Sequence, residues 1–225
     1  MTLELHMHPL SSYCWKVLIA LYERGTPFDP VTVDLGDPAA RSAYLAVSPF
    51  GKIPALRDKG RGLDVFETSV IVEYLDQRDP GPARMIPQDP ATALEVRLWD
   101  RIFDLHVHSI FQRIVEDRLR PQDRRDSLGV ETAHAKLRQA WDVLEARLQG
   151  RTWAGGEAFS LADCAAAPAL FYAALAEPLD AHPNLAAYRQ RLLDRPSVAR
   201  AIEEARPFFH FFPATAAERA RMPPR

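Results

Sequence analysis

The apolar positions change their period once along the chain. Leu3-Glu4-Leu5-His6-Met7 alternates and predicts a strand. Val17, Leu18, Ala20 and Leu21 then recur at helical spacing, from the hydroxyls of Ser11-Ser12 to a stop at Gly25. Phe28 to Asp34 reads as a second strand, and Asp37-Pro38 opens a short helix carrying Tyr44 and Leu45. Ile53–Leu56 and Leu63–Phe66 read as short strands joined by the turn Asp58-Lys59-Gly60-Arg61-Gly62. Thr68 to Asp76 is a helix burying Val70, Ile71, Tyr74 and Leu75. The predicted order is βαβ, an interposed helix, then ββα, with the βαβ strands parallel and the crossover right-handed. Asp79-Pro80-Gly81-Pro82 and Pro87-Gln88-Asp89-Pro90 read as a linker with rigid turns. Beyond it every signal is helical: a long amphipathic run from Ala91 to Leu119, then Val130 to Leu148, Ala162–Leu175, Leu185–Leu193 and Ser197–Ala205. The predicted organisation is α/β over 1–79, a linker over 80–90, and an all-α bundle over 91–225.

Charge alters this picture little. In 225 residues, 28 basic against 30 acidic side chains give a net charge of −2, so nothing argues for a nucleic-acid or anionic-membrane partner. Residues 1–6 lack a basic stretch followed by an apolar one, so no signal peptide is predicted, and no apolar run reaches the roughly 18 residues of a membrane span. Cys14 and Cys164 cannot form a disulfide framework or a four-thiolate zinc site, so a reducing, cytoplasmic setting is expected. Both read as buried structural thiols. His6 and His8 share a strand face but have no evident third ligand, and His106 and His108 point different ways on a helix; no metal is expected.

The chemistry-bearing residues gather in the first 70. Proline has no N–H, so Pro54 cannot sit in an ordinary central ladder; a cis Ile53–Pro54 bond would turn the N–H and C=O of Ile53 toward a ligand. Glu67-Thr68 sets a carboxylate, a hydroxyl and free backbone N–H groups at a helix start, which suits an anion that also carries an ammonium group. In Ser11-Ser12-Tyr13-Cys14 a serine stands where a redox Cys-x-x-Cys has its first thiol. It can donate to a thiolate brought in by a ligand, or act only as an N-cap. Ser160-Leu161-Ala162-Asp163, preceded by Phe159, reads as a capping box, a folding device. Pro207-Phe208-Phe209-His210-Phe211-Phe212-Pro213, taken to follow the last regular helix, either packs on the helices or roofs an apolar cleft. The runs Arg118 to Asp126 and Arg219 to Arg221 read as solvated surface.

Together these features resemble the cytosolic glutathione S-transferases. Ser11 to Val17 is similar to the serine motif of the zeta and theta-like bacterial classes, although Tyr13 stands where the zeta motif has cysteine. Ser48-Pro49-Phe50-Gly51-Lys52-Ile53-Pro54-Ala55-Leu56 is similar to the cis-proline segment, Glu67-Thr68-Ser69 to the acid–hydroxyl pair, and Phe159 to Asp163 to the capping motif of the helical domain. The resemblance implies a thioredoxin-like domain followed by a helical one, as a homodimer, with glutathione as co-substrate. It implies that Ser11, or Ser12, holds the glutathione thiolate, and leaves Cys14 as another group near that thiol. Ile53 would pair with the cysteinyl part through the cis bond at Pro54, Lys52 would reach the glycyl carboxylate, and Glu67 and Thr68 the γ-glutamyl end. An apolar electrophile would sit among Leu10, Tyr13, Arg101, His108 and Phe208. Conjugation is the first expectation. A glutathione-dependent isomerase, dehalogenase or ether-cleaving enzyme, and a non-enzymatic module on the same fold, are the alternatives.

Overall fold

The computed structural model describes residues 2–79, 81 and 83–222; Pro80 and Pro82 of the predicted linker lie outside the described residues. The first half runs β1 (Leu3–Met7), α1 (Ser12–Arg24), β2 (Asp29–Thr32), α2 (Pro38–Tyr44), β3 (Ala55–Asp58), β4 (Leu63–Phe66) and α3 (Thr68–Arg78). The strands form one mixed sheet in the order β2-β1-β3-β4. β1 and β2 are parallel, Leu5 facing Pro30, while β3 pairs antiparallel with β1 and β4. Pro30 is tolerated because β2 is an edge strand. This is the thioredoxin-like βαβ-α-ββα order that the sequence predicts. β2 is shorter than expected, and β3 begins at Ala55, which leaves Ile53 and Pro54 outside the ladder. α1 stops where Gly25 adopts a left-handed φ of 61° and donates back to Leu21 and Tyr22.

The second half is helical: α4 (Pro90–Ile102), a π-helical segment Phe103–His108, α5 (Ser109–Leu119), α6 (Ser127–Leu148), α7 (Leu161–Ala176), α8 (Pro183–Leu193), α9 (Pro196–Ala205), a 3-10 turn Arg206–Phe211 and α10 (Ala216–Arg221). α4, the π segment and α5 form the single long run predicted for 91–119, with a widened turn in its middle. α7 is buried on nearly every side, as an all-apolar helix must be, and forms the axis of the bundle. The two halves share a core: on α1, Trp15 packs against Phe171 and Tyr172 of α7 with ring centroids 4.9 and 5.2 Å apart. Toward the C-terminal end of α1, Arg195 and Ser197 hold Glu23, and Tyr22 donates to Glu204 at 2.5 Å.

Two surface expectations are corrected. The phenylalanine-rich segment does not follow the last helix: α10 comes after it, opened by a capping box between Thr215 and Glu218. Its carboxylate is buried and takes both ends of the Arg118 guanidinium, at 2.7 and 2.8 Å, so Arg118 is a tether and not solvated surface. Within the segment Phe209 and Phe212 are buried, stacking on Phe171 and Phe111, whereas Phe211 stays exposed.

Candidate active site

Three element junctions meet at one cleft. The first is the turn from β1 into α1. Ser11 has extended backbone and caps α1, its Oγ accepting from the Cys14 amide at 3.4 Å. Ser12 and Tyr13 follow on the first turn. Cys14 is fully buried and its thiol is pushed up to about 12, chiefly by burial, so it is an un-ionised packing group.

The second junction is the loop from α2 into β3. The Ile53–Pro54 bond is cis. The Lys52 carbonyl accepts from Tyr44 Oη at 2.8 Å and Ser48 Oγ at 3.1 Å, which fixes the loop from below. Lys52 is exposed and Pro54 buried.

The third junction is the start of α3. Glu67 has a φ of 71° and no side-chain cap bond to the helix, so the carboxylate is not spent on the first-turn amides. A non-glycine residue with positive φ costs of order 1–3 kcal/mol and is characteristic of ligand-binding positions.

One cleft is lined by Tyr13, Lys52, Ile53, Pro54, Glu67, Thr68 and Arg101. Seven of the sequence-nominated residues therefore share a single concavity. Ser11, Ser12, Leu10, His108 and Phe208 are not among its lining residues. Ser11 and Ser12 are half-buried beside it, at the turn that leads to Tyr13. Leu10 is half-buried, and its carbonyl accepts from Tyr172 Oη at 2.9 Å. His108 is 3% exposed beneath Tyr13, the rings edge-to-face at 4.3 Å, with Nε2 2.9 Å from Ser12 Oγ. Burial holds it far below the ordinary value of 6.5, at about 3, so it is a neutral imidazole. Phe208 lies edge-on to His8 at 4.9 Å. No group of three or more His, Cys, Asp or Glu able to hold a metal occurs among the described residues.

The sequence reading did not single out the acids of the long helix. Asp104 lines the cleft and is held by Arg101 at 3.0 Å and by Lys16 Nζ at 2.8 Å. Lys16 is 1% exposed; it also meets Asp100 at 2.5 Å and Ser69 Oγ at 2.9 Å, and Ser69 donates to Asp100 at 2.7 Å. Burial raises the Asp100 pKa, opposed by Lys16. This charged knot ties α1, the start of α3 and the long helix together behind the cleft. A signal for it was present: Asp100, Asp104 and His108 recur every four residues, on the face that should be apolar.

Comparison with known proteins agrees across the chain. Residues 5–83 match the model of the glutathione S-transferase N-terminal domain, and residues 113–191 that of the glutathione S-transferase C-terminal domain. Glutathione S-transferase 3 of Zea mays is 30% identical over 210 residues, covering 89% of this chain and 93% of that protein. A glutathione S-transferase of Methylobacillus flagellatus KT, solved with glutathione bound, superposes with a TM-score of 0.81 at 32% identity, covering 88% of this chain and 98% of the other. One from Methylobacterium radiotolerans, in complex with glutathione sulfonate, gives a TM-score of 0.78 at 29% identity and covers 88% and 93%.

Proposed function

The chain belongs to the glutathione S-transferase family, and from that premise we propose that it joins the sulfur of glutathione to an apolar electrophile, with the thiolate held by the hydroxyl of Ser11. The observation that carries this reading is the convergence of Lys52, Ile53, Pro54, Glu67 and Thr68 on one cleft beside the N-terminus of α1. In this reading residues 1–79 bind glutathione and 91–225 supply the electrophile's side of the site. Lys52 meets the glycyl carboxylate, the backbone of Ile53 the cysteinyl unit, and Glu67 with the first turn of α3 the γ-glutamyl end. The thiol loses its proton to solvent, the sulfur attacks the electrophilic carbon, and the leaving group departs with the bonding pair.

Ser11 is favoured over Ser12 by hydrogen-bond accounting. Ser11 uses its oxygen to cap α1, so its hydroxyl proton can point to a thiolate, whereas Ser12 is engaged by His108. A free thiol titrates near 8.5, and lowering it by about two units needs about 2.7 kcal/mol. A hydrogen bond to a charged group gives roughly 1.5–3 kcal/mol, and a helix N-terminus about 0.3–1 kcal/mol more. One observation favours a second donor: Tyr13, unlike Ser11, itself lines the cleft, with Oη 3.4 Å from Ser109 Oγ. The test is the ultraviolet thiolate band on titrating glutathione near neutral pH into wild type, Ser11→Ala and Tyr13→Phe. A band lost only in Ser11→Ala supports the reading, and one lost only in Tyr13→Phe transfers the role. Absence of glutathione binding in wild type would sink it.

We further infer a homodimer. Leu94, Leu98 and Leu105 lie on one face of the long helix at 69, 54 and 48% exposure, and Val143 of α6, half exposed, lines one cavity with Leu105. Spacings of 4 and 11 residues keep the three leucines within one narrow stripe. A monomeric mass by sedimentation at micromolar concentration would remove the dimer. A reducing, cytoplasmic setting fits two free, buried cysteines, and recovery of the native protein in a membrane or secreted fraction would refute it.

A further inference from the structure

The four-residue turn His8-Pro9-Leu10-Ser11 carries the proposed thiolate donor, and nearly every polar backbone atom in it has a fixed partner. The carbonyls are taken from the helical side: Trp15 Nε1 donates to Pro9 O at 2.6 Å, and Tyr172 Oη to Leu10 O at 2.9 Å. The amides are taken by a single residue. Ser11 N donates to the carbonyl of His8 at 3.0 Å, and Leu10 N donates to the ring Nδ1 of His8 at 3.1 Å. Pro9 has no amide to satisfy. The His8 ring thus does what the side-chain oxygen of Asn or Asp does in an Asx turn, accepting from the amide two residues on.

A backbone N–H can only donate. Nδ1 of His8 must therefore present its lone pair, and the ring proton sits on Nε2. The neutral state is built into the turn, because a proton on Nδ1 would set N–H against N–H. We propose that His8 is a positioning residue for Ser11: its neutral Nδ1 fixes the turn that aims the Ser11 hydroxyl, and protonation of His8 releases that turn. The inference rests on Ser11 as thiolate donor.

The surroundings of His8 agree with this role. Phe208 from the 3-10 turn covers its ring edge-on at 4.9 Å. Burial lowers its pKa below 6.5; Asp34, on the loop after β2, opposes this and is the weaker influence. The other titratable groups at the turn are the Cys14 thiol on α1 and the Tyr172 hydroxyl on α7, both pushed upward by burial and therefore neutral. His8 is then neutral at pH 7 and charges on the acid side of about 6.5, where the turn opens.

Two substitutions separate the bond from the titration. His8→Asn retains an acceptor for the Leu10 amide and does not titrate; His8→Phe retains a ring and has no acceptor. We expect His8→Asn to keep neutral-pH kcat/KM within roughly threefold, and His8→Phe to lose roughly tenfold or more in kcat with little change in the KM for glutathione. On the acid side of both titrations the log kcat/KM of wild type should fall with a slope near two, one proton for the thiol and one for His8, while His8→Asn falls with a slope near one. Equal slopes in wild type and His8→Asn, or a fully active His8→Phe, would overturn the proposal. If His8→Phe does not fold, the Asn slope decides. Ring-nitrogen chemical shifts of His8 in the wild-type protein need no activity at all: an Nε2–H tautomer supports the turn, and an Nδ1–H tautomer overturns it. A wild type with the Nε2–H tautomer but no thiolate band would instead fault the Ser11 reading of the site.

Discussion

Ser11 and Ser12 are chemically alike and adjacent, and what separates them is a histidine ninety-six residues after Ser12. That is why the sequence left the choice between them open: N-cap preference is local, whereas the His108 bond depends on where the long helix packs. His108 also makes a prediction of its own. It is buried and neutral, with a folded-state pKa near 3 against 6.5 unfolded. The unfolded chain therefore takes up a proton as pH falls below 6.5, and the folded one does not until about 3. This residue's share of stability is full above 6.5 and drains away between those values, by an order-of-magnitude 4–5 kcal/mol at about 1.4 kcal/mol per unit. His108→Gln can still bond Ser12 and does not titrate, so its unfolding free energy should decline less steeply than wild type between pH 6.5 and 3. Parallel declines in urea unfolding would remove His108 as the cause.

Helix ends were the most legible elements, because a cap is written in a few neighbouring residues. The capping box at Ser160 is present as read, but it is only one part of a larger device. Asp163 is fully buried and accepts from Ser160 N, Ala154 N and Tyr188 Oη, at 2.9, 3.0 and 2.6 Å. The carboxylate thereby ties α7 to α8 and to the loop before it. Ser160→Ala removes one side-chain bond and should cost about 1 kcal/mol. Asp163→Ala orphans several buried donors at once and should cost roughly 3 kcal/mol or more. Denaturant midpoints at constant m-value would compare the two, and equal costs would reduce Asp163 to a simple cap. Thr215 and Glu218 carry the same kind of local signal for α10, beside the phenylalanine-rich segment. The π-helical turn had no local signal. It falls within an unbroken amphipathic run; the four-residue spacing sets Asp104 and His108 on one face, and packing against α7 and α1 buries that face.

At the scale of the whole molecule the two halves are joined by a buried charge. Period and composition gave the βαβ-α-ββα half and the helical half, since each is a matter of local pattern. Lys16 could not be read in this way: in sequence it is one cation among the apolar residues of α1, and its acids lie more than eighty residues away. In the fold Lys16 is 1% exposed, with Asp100 and Asp104 on one side and Ser69 on another. A buried pair contributes little net stability when complete, because desolvation offsets attraction, but losing one partner strands the other. Lys16→Met should therefore destabilise the protein by roughly 3–5 kcal/mol at neutral pH. The sign of its pH dependence follows from the stranded carboxylates. Burial already raises the Asp100 pKa, and without Lys16 only the Ser69 hydrogen bond opposes that rise, so protonation relieves the variant. The stability gap between wild type and Lys16→Met should narrow as pH falls from about 7 to 5, and adding Asp100→Asn should restore part of the loss. Because Lys16 touches both halves, unfolding should remain a single transition by tryptophan fluorescence and by far-ultraviolet dichroism. A gap that is small at pH 7, or that widens on acidification, would mean that the aromatic contacts of Trp15 with α7, and not this charge, hold the two halves in register.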